Sequence, residues 1–442
     1  MFFFSCGQGN VRNRVRCVVT VLCALSVGGC ASFGTREPSP EHLSVSSSKA
    51  NDEAAAFDDV ALLTEAMLLV RRNYVEEKSF REVVYGAIDG MLSELDPNSS
   101  FLPPEPLSQL EEETRGSFGG IGVSVGVDKA GVKVIAPIED SPAFKAGIQA
   151  GDTITAVDGK KLNDVSLDQV VNAMRGEKGS TVKVTLERAN GEKMDMSLVR
   201  DDIKVPSVKG VRDLGDGVGY LRITQFNEPV AEDFARALIG LEKANLTSLI
   251  VDLRDNPGGL LESAVGVTEQ VLSKGTEIVA VRGRDGEKPL QRFTAGPCEQ
   301  RFAELPLVLL VNGGSASASE IMAGALQAHK RAVLVGERTY GKASVQSVIK
   351  LALRPDCALR LTTGYYYTPG GKLIHGVGID PDVEVVVPPS EWRRVQMERM
   401  VQERSANIGG TVTAKADSGI KDVQLERAKE VLMKNKRVLN NG

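Results

Sequence analysis

The spacing of hydrophobic residues changes along the chain and divides it into four patterned stretches. Between residues 57 and 95, apolar side chains recur every three or four positions, which predicts two helices. From Phe118 to about Arg200, glycines are mixed with β-branched residues in short runs, which predicts a compact domain rich in strands. Residues 205–388 alternate between buried-strand runs and helical spacing, as in an α/β core. Residues 391–442 are charged and are expected to be helical.

The predicted fold class is therefore α/β, within a multidomain α+β chain. A helical N-terminal segment precedes a β-rich domain, an α/β core with a mainly parallel sheet, and a helical C-terminal tail. The length of 442 residues agrees with about three domains at roughly 150 residues each. The predicted boundaries are 1–29 for a signal peptide, 30–56 for a tether, 57–104 for the helical segment, 105–200 for the β-rich domain, 201–390 for the core and 391–442 for the tail.

The first thirty residues have the pattern of an export signal. Three arginines and no acidic residue precede an apolar run that begins at Cys17 and ends in small residues before Cys30. The run is about half of the roughly 20 residues that span a bilayer, which argues against a retained transmembrane helix. Val27-Gly28-Gly29-Cys30 also resembles a bacterial lipobox, in which the cysteine is lipidated. We expect an exported periplasmic or cell-envelope protein, in contact with the membrane only through an N-terminal anchor at Cys30. A plain cleaved signal, an uncleaved anchor and a misplaced start of the sequence are the alternatives.

Charge and composition narrow the classes of function. The 53 basic and 58 acidic residues give a formal net charge of −5, so the chain lacks the basic surface of a nucleic-acid binder, and no nucleic acid is expected as a partner. The chain has only three histidines, which are His42, His329 and His375. This small number argues against a histidine metal site and against Ser-His catalysis. Neither a metal nor a cofactor is expected. Outside the leader the only cysteines are Cys298 and Cys357, and the sequence leaves open whether they form a disulfide or remain thiols.

Three polar turns follow three buried-strand runs in the core. The strand runs are 248–254, 307–311 and 332–336, and the turns are Asp255–Gly259, Asn312–Glu320 and Glu337–Lys342. Strand–helix–strand connections form right-handed parallel crossovers, so all three turns should meet at the carboxyl edge of one sheet. A helix of about 18 Å and a returning strand of about 20 Å bring Lys342 back to the level of the serines.

A serine and a lysine at one sheet edge suggest nucleophilic catalysis, because a serine hydroxyl needs a base within hydrogen-bond reach. A lysine serves as that base only when it is neutral, so its pKa must fall well below about 10.4. Gln346 lies four residues after Lys342, on the same face of the chain, and can orient an amine without adding a charge. Backbone N–H groups at Ala318 and at Gly258 or Gly259 can stabilise an oxyanion.

Each of these features also has a plainer interpretation. Ser317-Ala-Ser-Glu320 is a capping box, which many helices carry for stability alone. Asp255-Asn-Pro-Gly-Gly is an ordinary turn sequence, and a lone lysine is most often a solvated surface residue. Spacing alone does not choose among Ser315, Ser317 and Ser319.

The chain resembles the carboxyl-terminal processing peptidases, a family of Ser/Lys proteases with an embedded PDZ domain. The resemblance covers about residues 57–388. Its markers, in chain order, are Gly86-Ala-Ile-Asp-Gly-Met-Leu, Leu95-Asp-Pro-Asn-Ser, Phe118-Gly-Gly-Ile-Gly-Val, Ser141-Pro-Ala-Phe-Lys-Ala-Gly, Gly151-Asp-Thr-Ile, Tyr220-Leu-Arg-Ile, Asp252-Leu-Arg-Asp-Asn-Pro-Gly-Gly, Ser315-Ala-Ser-Ala-Ser-Glu, Gly341-Lys-Ala-Ser-Val-Gln, Tyr367-Thr-Pro-Gly-Gly and Gly378-Ile-Asp-Pro-Asp.

The resemblance implies a role for each matching site residue. It implies that Ser317 is the nucleophile, Lys342 the general base and Gln346 its support. It implies that the backbones of Gly258 and Ala318 supply the oxyanion donors.

The resemblance also identifies the β-rich domain as PDZ-like. It implies that Gly120, Ile121, Gly122 and Val123 form the loop that receives a free C-terminal carboxylate, while the bound peptide adds as a strand. We therefore expect an exported serine endopeptidase that binds proteins or peptides with apolar C-termini and cleaves them through an acyl-enzyme. The alternative is a catalytically silent PDZ adaptor on a protease scaffold. A homo-oligomer formed through the helical tail is a further expectation.

Overall fold

The computed structural model describes residues 44–128, 131–138, 140–162, 167–188, 190–284, 286, 289–296, 302–407 and 420–440. The predicted signal peptide, Cys30, His42 and Cys298 lie outside these residues. The chain forms two compact units, one up to Pro103 and one from Pro104 onward. In the described part of the chain, no helix combines the length and the apolar character needed to cross a membrane.

The unit up to Pro103 contains two helices and a short strand. These are α1 (Ser44–Asn73), α2 (Phe80–Ser93) and β1 (Ser100–Leu102). Ser79 begins α2 with a capping box, since its hydroxyl accepts the Glu82 N–H while the Glu82 carboxylate accepts the Ser79 N–H. The two predicted helices are confirmed, although most large apolar residues of α1 from Phe57 onward are exposed.

The predicted tether is wrong for residues 44–56, because α1 already begins at Ser44. Ala54, Ala55 and Ala56 precede the apolar part of the helix, and alanine is the best helix former. Once residues 57–73 have formed a helix, adding a turn at its N-terminal end requires no new nucleation. The abundance of Ser, Pro, Glu and Asn in the predicted tether therefore did not exclude a helix in its last part.

The unit from Pro104 onward begins with a helix that we did not predict, α3 (Pro104–Arg115). Only Leu107 and Leu110 are buried on it, so its apolar pattern is too short to be recognised. The elements that follow are β2 (Ser117–Gly120), β3 (Val123–Asp128), β4 (Gly131–Pro137), α4 (Pro142–Lys145), β5 (Thr153–Val157), β6 (Lys160–Lys161), α5 (Leu167–Met174), β7 (Thr181–Glu187), β8 (Lys193–Val199) and β9 (Asp201–Lys204).

Strands dominate this region, as predicted. An antiparallel sheet has the order β3-β4-β5-β7-β8, with β6 paired to β5, and a separate two-stranded ladder joins β2 to β9. The strands alternate buried and exposed residues, which is the period of a half-buried sheet. Val132, Ile154, Val170, Val184 and Leu186 share one core between the sheet and α5.

The rest of this unit alternates strands and helices. Its elements are β10 (Val208–Asp213), β11 (Val218–Ile223), α6 (Val230–Glu242), β12 (Ser248–Asp252), α7 (Leu261–Thr268), a 3₁₀ turn (Glu269–Val271), β13 (Glu277–Arg282), β14 (Gln291–Thr294), β15 (Leu307–Val311), α8 (Ala318–Ala328), β16 (Ala332–Gly336), β17 (Ser344–Leu351), β18 (Arg354–Thr368), β19 (Lys372–Leu373), β20 (Val383–Glu384), α9 (Pro389–Asn407) and α10 (Val423–Asn440).

The central sheet has the order β10-β11-β12-β15-β16-β20, and every pair except β10 with β11 is parallel. The predicted parallel sheet is therefore confirmed. Asp252, the last residue of β12, pairs with Leu310, and Val311 pairs with Gly336. Because these strands end at one level, the turns that follow them lie at one edge of the sheet.

Alternate residues of the central strands pack on opposite layers. Leu249, Val251 and Leu309 share a core with helices α6, α7 and α8, whereas Ile250 and Val308 pack with α10. A strand buried on both faces carries a continuous apolar run, which explains Leu307-Val-Leu-Leu-Val311. Ala428 and Leu432 of α10 are fully buried, so the tail belongs to the core of this unit.

An antiparallel group of strands supplies the remaining part of the site. Strand β18 pairs with β17, β13 and β19, and β13 also pairs with β14. Gln346 therefore lies on β17, a strand of this antiparallel group. Strand β18 also contains Cys357, which is buried.

Candidate active site

Ser317 lies in the turn between β15 and α8, directly before the helix, and is fully buried. Its backbone has φ +60° and ψ −116°, a conformation that residues with a Cβ rarely adopt. Such a conformation costs on the order of 1–3 kcal/mol, and it persists where the surrounding structure holds it. The turn therefore fixes the serine at the N-terminus of a buried helix.

The structure distinguishes the three serines of this turn. The Ser315 hydroxyl donates to the Leu253 carbonyl at 2.8 Å, and the Ser319 hydroxyl donates to the Asn256 carbonyl at 3.0 Å. Both hydroxyls thus tie the turn to the loop after β12. Ser317, between them, is the serine with the unusual backbone conformation, which agrees with the residue that the family resemblance selects.

A buried carboxylate joins the Ser317 turn to the Lys342 turn. The Glu320 Oε2 atom accepts hydrogen bonds from the Ser317 N–H at 2.8 Å and the Lys342 N–H at 2.9 Å. Its Oε1 atom accepts from the Thr339 hydroxyl at 2.5 Å and the Gly341 N–H at 2.8 Å. Two backbone nitrogens on one oxygen atom must lie side by side, so Ser317 and Lys342 meet although 25 residues separate them in the sequence.

Tyr366 of β18 makes the same connection on the carbonyl side. Its hydroxyl lies 3.1 Å from the Ser317 carbonyl oxygen and 3.0 Å from the Lys342 carbonyl oxygen. Burial raises the pKa of Tyr366 well above its ordinary value, and the nearby Glu320 raises it further. The phenol therefore stays protonated and serves as the donor between the two turns.

Gln346 is fully buried on β17, four residues after the predicted base. Its side-chain nitrogen donates to the Thr362 hydroxyl at 3.2 Å. Its Oε1 atom is buried and has no hydrogen-bond partner among the described residues. A buried acceptor without a donor is costly, so this oxygen is suited to receive an N–H from an amine or a substrate.

The predicted oxyanion donors lie together but differ in orientation. A Cβ built on Gly258, where φ is +105°, would lie 2.9 Å from the Ala318 nitrogen, so the two backbones touch. The Ala318 N–H and the Gly259 N–H donate to no described residue. The Gly258 N–H, in contrast, donates to the Asn256 Oδ1 atom at 2.9 Å. The Gly258 N–H must therefore leave Asn256 before it can bind an oxyanion, whereas the other two need no such change.

The described histidines occupy different places. His329 caps the far end of α8, and its Nε2 atom lies 2.7 Å from the Glu277 carbonyl oxygen. His375 reaches the site, because its Nδ1 atom accepts the Ala343 N–H at 3.3 Å. The structure thus places an exposed imidazole beside Ala343, the residue that follows Lys342. Among the described residues, no cluster of histidine, cysteine or carboxylate side chains could hold a metal ion.

The predicted peptide-binding loop lies between β2 and β3. The Ile121 side chain is buried, and the Ile121 and Gly122 carbonyls accept the Ala143 N–H and the Ile138 N–H. The N–H groups of Ile121 and Gly122 donate to no described residue. Two adjacent, available N–H groups on a fixed loop can receive a carboxylate.

Sequence reasoning missed Glu320 and Tyr366 as parts of the site. Glu320 appeared only as the acid of a capping box, and the Ser317 N–H does donate to it as in such a box. Its other three hydrogen bonds go to residues 339–342. Tyr366 lies one residue before the Tyr367-Thr-Pro-Gly-Gly marker, and its sequence position alone indicates no contact with Ser317.

Two family models match parts of the chain. Residues 119–199 match the model of the PDZ domain, and residues 217–385 match that of peptidase family S41. A carboxy-terminal-processing protease of Bartonella bacilliformis is 40% identical over 397 residues, which cover 86% of this chain and 90% of that protein. The carboxy-terminal processing protease CtpA of Bacillus subtilis is 35% identical over 328 residues, which cover 74% of this chain and 69% of that protein. The structure of a photosystem II D1 C-terminal processing protease matches with 32% identity and a TM-score of 0.43, over 74% of this chain and 92% of that one.

Together, the two matched regions and the parallel sheet define a serine-type peptidase that carries a PDZ domain. The chain belongs to peptidase family S41 and is a carboxy-terminal processing protease.

Proposed function

We propose that the chain is an exported endopeptidase in which Ser317 and Lys342 form the catalytic dyad. It binds the apolar C-terminus of a protein in its PDZ domain and cleaves near that end through an acyl-enzyme. The observation that carries this proposal is the Glu320 carboxylate, which accepts hydrogen bonds from the backbones of both Ser317 and Lys342.

The reaction follows from the roles of these two residues. The neutral Lys342 amine takes the proton of the Ser317 hydroxyl as its oxygen attacks the scissile carbonyl carbon. When the C–N bond breaks, the leaving amine takes that proton from Lys342, and an ester to Ser317 remains. Water then attacks the ester with Lys342 again as the base, which releases the carboxylic acid and restores Ser317.

The amine must be neutral at the operating pH, so the mechanism requires a lowered pKa for Lys342. The Gln346 Oε1 atom, buried and without a partner, supports this role because a neutral amide carbonyl can orient an amine without favouring its protonated form. A carboxylate at the same position would oppose the loss of the proton.

The oxyanion of the tetrahedral intermediate would bind to the Ala318 N–H and to the Gly258 backbone. The Ala318 N–H belongs to the first residue of α8, where the helix dipole also favours negative charge. The Gly258 N–H would have to exchange Asn256 for the substrate, and the adjacent Gly259 N–H supports the alternative donor that the sequence left open. One such donor contributes on the order of 10²–10³-fold to kcat.

Substrate selection would fall to the loop Gly120-Ile121-Gly122-Val123. The available N–H groups of Ile121 and Gly122 support capture of a terminal carboxylate, and the neighbouring β3 offers an edge on which a peptide can add as a strand. A peptide with a C-terminal amide should then bind much more weakly than the free acid.

The deciding experiment uses the chain without its first 29 residues and a reporter protein with an apolar C-terminal tail. The wild type should cleave the reporter, while Ser317→Ala and Lys342→Ala should not. His375→Ala and a substitution of an exposed serine outside both turns, Ser273→Ala, serve as controls and should retain cleavage. Equal cleavage by the wild type and Ser317→Ala would end the proposal, and loss of cleavage in His375→Ala but not in Lys342→Ala would transfer the base to the imidazole.

Export and lipidation belong to the same proposal and rest on the leader sequence alone. Cells that express the full chain should incorporate a labelled fatty acid, and Cys30→Ser should abolish the label. If the wild type is processed but carries no label, a plain cleaved signal replaces the lipoprotein.

A further inference from the structure

The C-terminal helices reach the loop that carries the oxyanion glycines. Arg254, two residues after β12, is buried, and its guanidinium donates to both carboxylate oxygens of Asp252. It also donates to both carboxylate oxygens of Asp422, at 2.9 and 2.8 Å, and to the Gln424 side chain. Asp422 directly precedes α10, so a bidentate ion pair connects the loop to the tail.

Helix α9 contacts the next residue of the loop, Asp255. The Gln396 side chain donates to the Asp255 Oδ2 atom at 2.7 Å, and the Trp392 indole N–H lies 3.3 Å from its Oδ1 atom. Arg399 lies 3.4 Å from the same carboxylate. The Trp392 ring also stacks on the Arg254 guanidinium, with 4.7 Å between the ring centroid and Cζ.

The backbone of Asp255 needs this support, because its φ is +60°. Aspartate tolerates this left-handed conformation better than most residues, but it still adds strain. From the turn that contains Ser317, the Asn312 side chain accepts the Asp255 N–H and donates to its carboxylate, both at 2.9 Å. Asp255 is therefore held between the tail and the turn that contains Ser317.

The following residue transmits this position to the site. The Asn256 carbonyl accepts the Ala316 N–H and the Ser319 hydroxyl, which flank the predicted nucleophile. The Asn256 Oδ1 atom accepts the Gly258 N–H. A shift of Asp255 therefore moves both the oxyanion glycines and the backbone on either side of Ser317.

We propose that the tail is a positioning element for catalysis, in which Gln396, Trp392 and Asp422 hold residues 254–259 in register with Ser317. This inference rests on the proposed Ser317 chemistry and adds a role for a segment outside the matched peptidase region 217–385. The tail should affect catalysis and not substrate capture, because its contacts lead to the backbone around Ser317 and not to the PDZ loop.

Gln396→Ala and Asp422→Asn test this role, with Gln402→Ala as the matched control. Gln402 has the same side chain and lies on the same helix, but it is exposed, and among the described residues its side chain hydrogen-bonds to Glu398. A displacement near 1 Å at a reacting group costs up to about 10²-fold in rate. We therefore expect each test variant to lower kcat on the tailed reporter by about tenfold with KM unchanged. The kcat of the control should stay within about twofold of the wild-type value.

A purely structural role would lower the amount of folded enzyme, so folding is followed separately. Trp392 is the only tryptophan of the chain, and its fluorescence reports tail docking and unfolding.

Asp255→Asn combined with Gln396→Ala should be no slower than the slower of the two single variants, because both substitutions remove the same contact. If a test variant is unfolded at the assay temperature, Trp392→Phe replaces it, since phenylalanine keeps a ring over Arg254 but removes the N–H. Because this variant has no tryptophan, its folding is followed by far-UV circular dichroism.

The outcomes separate this inference from the proposed function. Folded Gln396→Ala and Asp422→Asn enzymes with wild-type kcat would overturn the role of the tail and leave the dyad intact. A rise in KM at constant kcat would also overturn it, because the tail would then affect substrate binding. Equal cleavage by the wild type and Ser317→Ala would instead remove the proposed function itself.

Discussion

Glu320→Gln is the substitution that most directly tests how the site is held together. The change keeps the size and shape of the side chain but turns one carboxylate oxygen into an NH₂ group. In the wild type, Oε1 accepts from Thr339 and Gly341, and Oε2 accepts from Ser317 and Lys342. Whichever oxygen becomes nitrogen, two donors then face a donor inside a fully buried space.

The expected magnitude follows from these four hydrogen bonds. A hydrogen bond to a charged acceptor contributes about 1.5–3 kcal/mol, and a buried donor left unpaired costs about 1–3 kcal/mol. Losing two such bonds should lower the free energy of unfolding by about 3 kcal/mol or more. If the amide nitrogen faces Ser317 and Lys342, both backbones must separate, and kcat should fall by up to about 10²-fold.

Two measurements separate these effects. Urea unfolding gives the stability, and kcat and KM on the tailed reporter are measured well below the midpoint of thermal unfolding. Glu277→Gln is the control, because Glu277 is partly exposed and pairs only with Arg292 at 3.6 Å among the described side chains. An enzyme whose unfolding free energy and kcat both match those of the wild type would refute the reasoning, since four hydrogen bonds to one carboxylate could not then hold the two turns.

Three further predictions concern the base, the oxyanion loop and the buried ion pairs. The rate should rise with pH as Lys342 loses its proton, and a flat profile from about pH 6 to 9 would contradict a lysine base. Gly258→Ala should lower both activity and melting temperature, because the added Cβ would lie 2.8 Å from the Ser317 Cβ. Gly240→Ala is the control and should retain activity, because Gly240 lies in helix α6 and a Cβ added there would have no neighbouring atom within 4 Å. Burial opposes ionisation of Asp252, but the charges of Arg254 and Arg399 outweigh the burial and hold the pKa of Asp252 well below its usual range. The ion pairs of Asp252 therefore stabilise the fold fully above about pH 4, and this stabilisation is lost as the pH falls through the pKa of the folded state. Asp252→Asn should therefore unfold about 3–5 kcal/mol more easily at pH 7, and urea titrations should show this deficit shrinking towards pH 2; a deficit independent of pH would contradict the assignment.

Local patterns predicted the elements that carry the site. Buried-strand runs gave β12, β15 and β16, and the rule for parallel crossovers brought their turns to one edge. These predictions succeed because a strand covered on both faces must be apolar along its whole length. The choice of Ser317 over Ser315 and Ser319 came from the family resemblance, because all three have the same local sequence features.

The missed contacts are non-local. The capping-box spacing of Glu320 is local and was recognised, but its bonds to Gly341 and Lys342 depend on the return of β16 to the same sheet edge. The orientation of the Gly258 N–H depends on a side-chain oxygen of Asn256, which no periodicity reports. Nor does a charge pattern pair Arg254 with Asp422, since 168 residues separate them.

The tail illustrates how a charged segment can be part of a core. Residues 391–442 are rich in charge, yet Ala428 and Leu432 of α10 are fully buried against the central sheet. An arginine at the end of a buried strand would be costly without partners, because a buried charge must be paired. Asp252 supplies one partner from the sheet, and Asp422 supplies the second only when the tail is docked. The docked tail therefore completes the pairing of Arg254, and the same residue begins the loop that leads to Gly258. We therefore expect the arrangement of residues 254–259, which include the proposed oxyanion donors, to depend on whether the last helices are in place.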